Sequence, residues 1–180
     1  MGGGLIRSSM KPACYGPGHV RTQLVVDVAD LKLSADPNTE LITYSLGSCI
    51  GVAIWDYKAD VGGLLHFMLP DSSIDPAKAR SNPAMFADKG IPLLFRSAYE
   101  LGAVKKRLIV KIAGGAALFN TNETMDIGKR NYIMLRKIFW RNNVKIDGSH
   151  VGGSFARTMR LDVGTGCITV ENRKMGRIKI

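Results

Sequence analysis

Cys49 and His66 are the residues whose types and separation point to chemistry. Cys49 closes the run Thr43-Tyr44-Ser45-Leu46-Gly47-Ser48-Cys49. His66 lies seventeen positions on (66 − 49), in Gly62-Gly63-Leu64-Leu65-His66-Phe67-Met68-Leu69-Pro70. A free thiol titrates near pH ~8.5, so at neutral pH it needs a base to become an effective nucleophile. An imidazole on the next strand is such a base, and the pair would attack a carbonyl carbon. Cysteine also packs well as a small apolar residue. The chemical reading therefore requires a fold that brings imidazole to thiol.

The elements that must do this can be read along the chain. Gln23 to Val28 is apolar and β-branched, a first strand, and Ala35-Asp36-Pro37-Asn38 is a turn. Glu40 to Ser45 reads as a strand broken by Leu46-Gly47-Ser48. Cys49 to Trp55 and Gly62 to Met68 read as a hairpin joined through polar residues 56–60, with Cys49 and His66 near its open end. Pro83 to Leu101 has apolar residues at helical spacing, interrupted by Pro92, so the helix is either kinked or begins after a short first segment. Arg107 to Ala113 reads as a buried strand, followed by Gly114-Gly115, where the backbone can turn tightly beside the site. Asp126 to Asn142 is the clearest amphipathic helix. Val144 to Val151, Thr158 to Val163 and Cys167 to Glu171 close the chain as strands. The mixture predicts an α+β domain with a largely antiparallel or mixed sheet.

Length and composition bound the rest. The chain has 180 residues, 46% of them hydrophobic, which suits one globular domain over 23–180 behind a Gly-, Ser- and Pro-rich leader at 1–22. No apolar run approaches the ~20 residues of a membrane span. The first residues lack the pattern of a secretory signal, and Ile6 stands where myristoylation wants Ser or Thr, so the expected location is cytoplasmic. Cys14, Cys49 and Cys167 are too few and scattered for a disulfide scaffold, and none forms the C-x-x-C pair of a structural zinc site. Cys14 reads as a surface thiol and Cys167 as strand packing. His19 and His150 carry no motif. The net charge of +10 is dispersed and comes with no nucleic-acid-binding motif, so a solvated basic surface or an acidic protein partner is favoured over a nucleic-acid groove.

Five blocks in order resemble the CheD family, chemoreceptor glutamine deamidases of bacterial and archaeal chemotaxis. They are Thr43 to Cys49, Gly63 to Pro70, Lys111-Ile112-Ala113-Gly114-Gly115-Ala116, Ile127-Gly128-Lys129-Arg130-Asn131 and Val151-Gly152-Gly153-Ser154-Phe155-Ala156-Arg157-Thr158. The resemblance spans roughly residues 23–172. Phe86 departs from it, standing where the family often has Tyr. The resemblance implies a β-sandwich-like mixed-sheet core with flanking helices, similar to the deamidating cytotoxic necrotizing factor toxins. It places the family's catalytic Cys, His and Thr on Cys49, His66 and Thr43, with no cofactor and no metal. It implies hydrolysis of specific glutamines in the cytoplasmic domains of methyl-accepting chemotaxis proteins, and a CheC-like CheY-phosphate phosphatase as a second partner. In that chemistry His66 activates the thiol, Thr43 orients the imidazole, and amides near Gly47 to Cys49 are candidates for an oxyanion hole. The alternative is a regulatory partner of the phosphatase with little or no receptor deamidation.

Overall fold

The computed structural model describes residues 21–117 and 126–180. The readings made for Cys14, His19 and the leader up to residue 20 lie outside the described residues. Two five-stranded sheets and three α-helices form the described fold. The strands are β1 (Thr22–Val25), β2 (Asp30–Ser34), β3 (Thr39–Leu46), β4 (Ile50–Asp56) and β5 (Val61–Phe67), then β6 (Leu108–Gly114), β7 (Gly148–Val151), β8 (Arg157–Asp162), β9 (Ile168–Asn172) and β10 (Gly176–Lys179). The helices are α1 (Pro76–Ser81), α2 (Ala87–Glu100) and α3 (Ile127–Arg141). One sheet has the order β1-β3-β8-β9-β10 and the other β2-β5-β4-β6-β7. β1 runs parallel to β3 and β6 parallel to β7; the remaining neighbours are antiparallel. This is the expected α+β class with mixed sheets and flanking helices.

Side-chain alternation explains the layering. Along β4 and β5, Val52, Ile54, Leu65 and Phe67 face one way and pack with Ile91, Leu94, Phe95, Leu135 and Phe139 of α2 and α3. Ala53 and Leu64 face the other way and pack with Leu41, Leu46, Met159 and Leu161 of the first sheet. The sheet carrying β4 and β5 is therefore buried on both faces, which is why these strands read as nearly unbroken apolar runs.

The local chemistry fits the helix ends. Asp126 caps α3 by accepting from the Lys129 backbone N–H at 3.0 Å, satisfying an amide that the helix leaves unpaired. Pro83–Met85 forms a separate 3₁₀ turn and Phe86 is extended, so α2 begins only at Ala87 and carries Pro92 within it. The helix expected over 83–101 thus begins after a short first segment. Phe86 is fully buried.

Three elements escaped the sequence pattern: β2, α1 and β10. Two were set too long: the first strand ends at Val25 and not at Val28, and the strand read from Val144 starts at Gly148. Residues 144–147 precede β7 and do not belong to it, because the Val144 N–H bonds back to Phe139 O at 2.9 Å and closes the end of α3.

Candidate active site

Thr43 lies on β3 in the first sheet and His66 on β5 in the second, so their side chains meet between the sheets. Thr43 Oγ1 is 2.7 Å from His66 Nδ1, and both residues are fully buried. The Thr43 hydroxyl also donates to Val26 O at 2.7 Å. A hydroxyl has one proton to give. With that proton on the Val26 carbonyl, Thr43 accepts from His66, so Nδ1 carries the imidazole hydrogen. Nε2 is left with its lone pair, and it is buried with no hydrogen-bond partner among the described residues. This is the tautomer a base requires.

The register brings Cys49 to the same face. Gly51 pairs with His66 and Ile50 with Phe67. Cys49 precedes Gly51 by two residues, so it shares the face of Gly51 and His66, and it packs against the cluster between the sheets. It sits one residue beyond the last rung, diagonal to His66, at a Cα separation of about 7–8 Å for such a position. Gly51, directly opposite His66, places no side chain between them. A Cβ there would come within 2.9 Å of Leu46 Cδ1. Cys49 is the free cysteine among the described residues and is half-buried.

The backbone around Cys49 is held on its carbonyl side. β3 carries an irregularity between Thr43 and Leu46, with Ser45 at φ 57°, and the Gly47 N–H closes a tight turn onto Ser45 O at 2.8 Å. Such bulges redirect a strand next to active sites. Gly47 O accepts from Ala116 N, and Cys49 O from Gly115 N, both at 2.8 Å. Gly114 (φ 113°) and Gly115 (φ 62°) make this approach possible, since a Cβ on Gly114 would stand 2.1 Å from Cys49 O. Ser48 O accepts from Asn131 Nδ2 at 3.0 Å. With these carbonyls occupied, the Ser48 and Cys49 amides donate to no other residue among those described. They are available to an oxyanion.

Electrostatics set the resting state. Burial lowers the His66 imidazole to about 4, with the Asp27 charge pulling the other way. Burial pushes the Cys49 thiol above its ordinary value, partly offset by its own backbone amide. Both groups therefore rest neutral near pH 7. The arrangement can run base-assisted attack, in which the proton moves as the S–C bond forms, and it does not need a standing thiolate–imidazolium pair.

Other sequence candidates fall elsewhere. Arg157, in the last of the five resembling blocks, is 2% exposed. Its guanidinium donates to the carbonyls of His150, Gly152 and Phe155, so it holds the 150–156 loop together. His150 lies in β7, with Nδ1 3.1 Å from Arg157 Nη1. Cys167 is buried just ahead of β9. No group of three or more metal-ligating side chains occurs among the described residues, and no helix among them is long and apolar enough to cross a membrane. Asn131 was not singled out by sequence reasoning. Its signal was present: it is a polar residue in the stripe Gly128, Asn131, Leu135, Phe139 that α3 buries.

The chain is similar to known proteins. The family model described as CheD chemotactic sensory transduction matches residues 68–172. A probable chemoreceptor glutamine deamidase CheD 1 of Syntrophus aciditrophicus is 51% identical over 149 residues, covering 83% of this chain and 93% of that protein. A probable chemoreceptor glutamine deamidase CheD of Solibacter usitatus is 51% identical over 144 residues, covering 80% and 85%. One from Anaeromyxobacter dehalogenans, CheD 2, is 41% identical over 149 residues, covering 83% and 94%. Among solved structures, Neisseria meningitidis protein NMB0706 aligns with TM-score 0.45 and 9% identity over 74% of this chain and 63% of that one. By its matched family model and by identity along most of its length, the chain belongs to the CheD family.

Proposed function

We propose that this protein is a cytoplasmic protein-glutamine deamidase that converts glutamine side chains of chemoreceptor cytoplasmic domains to glutamate, using Cys49, His66 and Thr43. The observation that carries the reading is the Thr43–His66 hydrogen bond at 2.7 Å, with Val26 O taking the threonine proton. It leaves Nε2 as a base on the face that Cys49 shares.

In the first half-reaction Cys49 Sγ bonds to the carboxamide carbon and its proton passes to His66 Nε2. The oxygen takes the negative charge and is held by the Ser48 and Cys49 amides. The C–N bond breaks, His66 returns the proton to nitrogen, and ammonia leaves. In the second half, His66 takes a proton from water as its oxygen bonds to the thioester carbon. The C–S bond breaks, the thiol is restored, and a glutamate remains. Thr43 keeps the ring in the required tautomer and adds no charge beside it. An imidazolium is then less favoured than beside a carboxylate, in keeping with a base that stays neutral.

The test is ammonia release from a purified chemoreceptor cytoplasmic fragment. The parent should release one ammonia per glutamine lost, and Cys49→Ala none. A parent that releases no ammonia from receptor fragments would remove the proposal.

A further inference from the structure

Asn131 joins the two backbone segments that carry the thiol and the imidazole. Its Nδ2 lies 3.0 Å from Ser48 O and 2.7 Å from Met68 O. Ser48 precedes Cys49, and Met68 follows His66 by two residues. The β4–β5 ladder ends at the Ile50–Phe67 pair, so no strand rung fixes Cys49 relative to Met68. Asn131 takes the place of that missing rung from outside the sheet, one amide nitrogen giving one hydrogen to each segment.

The helix that supplies it is fixed closely. Gly128, one turn earlier on α3, lies against the Gly115–Ala116 backbone, where a Cβ would come within 2.7 Å of Ala116 O. The same loop donates to Gly47 O and Cys49 O. Asn131 is fully buried, and its Oδ1 has no partner among the described residues. A buried amide kept with half its polar capacity unpaired is costly, so packing alone is a poor reason for asparagine here. Both Nδ2 hydrogens are committed to backbone carbonyls, which excludes Asn131 as an oxyanion donor.

We infer that Asn131 is a positioning residue that sets the separation of Cys49 Sγ from His66 Nε2 by bridging Ser48 O and Met68 O. The inference rests on the Cys49–His66 reading above. A misplacement of ~1 Å in a reacting pair can cost about 10²-fold in rate.

The test uses the full chain and two readouts. The first is alkylation of Cys49 by iodoacetamide, followed at the Cys49 peptide by mass spectrometry between pH 6 and 9. It needs no receptor substrate. The parent should show an imidazole-dependent component that His66→Ala lacks, and Asn131→Ala should follow the His66→Ala profile. The second is turnover of a receptor fragment, where Asn131→Ala should lose kcat by about 10²-fold with KM within about twofold. Circular dichroism checks the fold. If Asn131→Ala does not fold, Asn131→Ser, whose hydroxyl can donate to only one of the two carbonyls, should give an intermediate alkylation profile and kcat. A folded Asn131→Ala, or an Asn131→Ser in its place, with the parent's alkylation profile overturns the inference. An inert parent on receptor fragments would count against the proposed function alone, and the alkylation profiles would still decide the role of Asn131.

Discussion

The hydroxyl of Thr43 stands 2.7 Å from His66 Nδ1 and spends its single proton on Val26 O, so the imidazole must donate to the threonine. Three groups on three segments thereby fix one tautomer, with the hydrogen on Nδ1 and the lone pair on a buried Nε2 that has no partner among the described residues. Threonine does here what a carboxylate does in the better-known triads, orienting the ring, but it contributes no charge to favour an imidazolium.

Replacing Thr43 tests that division of labour. Thr43→Val keeps the shape and removes the hydroxyl, leaving Val26 O and His66 Nδ1–H buried without a partner. The expected cost is about 1–3 kcal/mol of stability, read from denaturant midpoints, together with a fall in kcat of about 10- to 10²-fold. Thr43→Ser should recover most of the rate. Nitrogen-15 NMR of the parent at pH 7 should show His66 protonated at Nδ1 and bare at Nε2. The opposite tautomer would refute the orientation argument.

Stability and activity should separate on the acid side. The His66 imidazole is lowered to about 4 in the fold, while in the unfolded chain it titrates near 6.5. Below pH 6.5 the unfolded state binds the extra proton, so stability falls as pH drops from 6.5 towards 4 and is fully present above that range. Between pH 7 and pH 5 the His66 contribution to the loss is about 2 kcal/mol. His66→Asn should remove that share of the pH dependence in urea unfolding. Over the same interval the base stays unprotonated in the fold, so kcat/KM should not show a histidine limb near pH 6.5. A limb there, absent from His66 variants, would contradict the buried neutral imidazole.

The Gly114 turn offers a separate check on the backbone of the nucleophile. Gly114→Ala would put a Cβ 2.1 Å from Cys49 O at a φ of 113°. The carbonyl is backbone and cannot swing aside as a side chain would. The expected result is a loss of about 2 kcal/mol or more from strain and displacement and a large fall in kcat. Gly102→Ala, also at positive φ but with nothing within 4 Å, should cost stability by strain and leave kcat unchanged. Equal kcat losses in the two variants would break the link between Gly114 and Cys49.

Much of the hairpin was legible because β4 and β5 are apolar on both faces and flanked by turn residues. β2 was not, since Asp30–Ser34 is a five-residue edge strand, half-buried throughout, with Asp30 and Lys32 in it. β10 is a four-residue edge strand opened by glycine, with two cations, and α1 has six residues and buries none. Short elements that bury little leave no periodicity to read. At the site, Cys49 and His66 announce themselves by type and by their place on one hairpin. The Asn131 contacts span 83 and 63 residues of sequence, so only the fold reveals what that side chain holds. The Val26 carbonyl, which fixes the imidazole tautomer, is backbone and leaves no trace in residue type.

In the proposed reaction Cys49, served by His66, hydrolyses glutamine side chains of chemoreceptors. Peptide mass spectrometry of a receptor cytoplasmic fragment, incubated with the protein in ordinary and in oxygen-18 water, tests it most directly. Hydrolysis through a thioester predicts a gain of about 1 Da at specific glutamines in ordinary water and about 3 Da in oxygen-18 water, absent with Cys49→Ala and with His66→Ala. The same mass gains produced by Cys49→Ala at the parent's rate would contradict it.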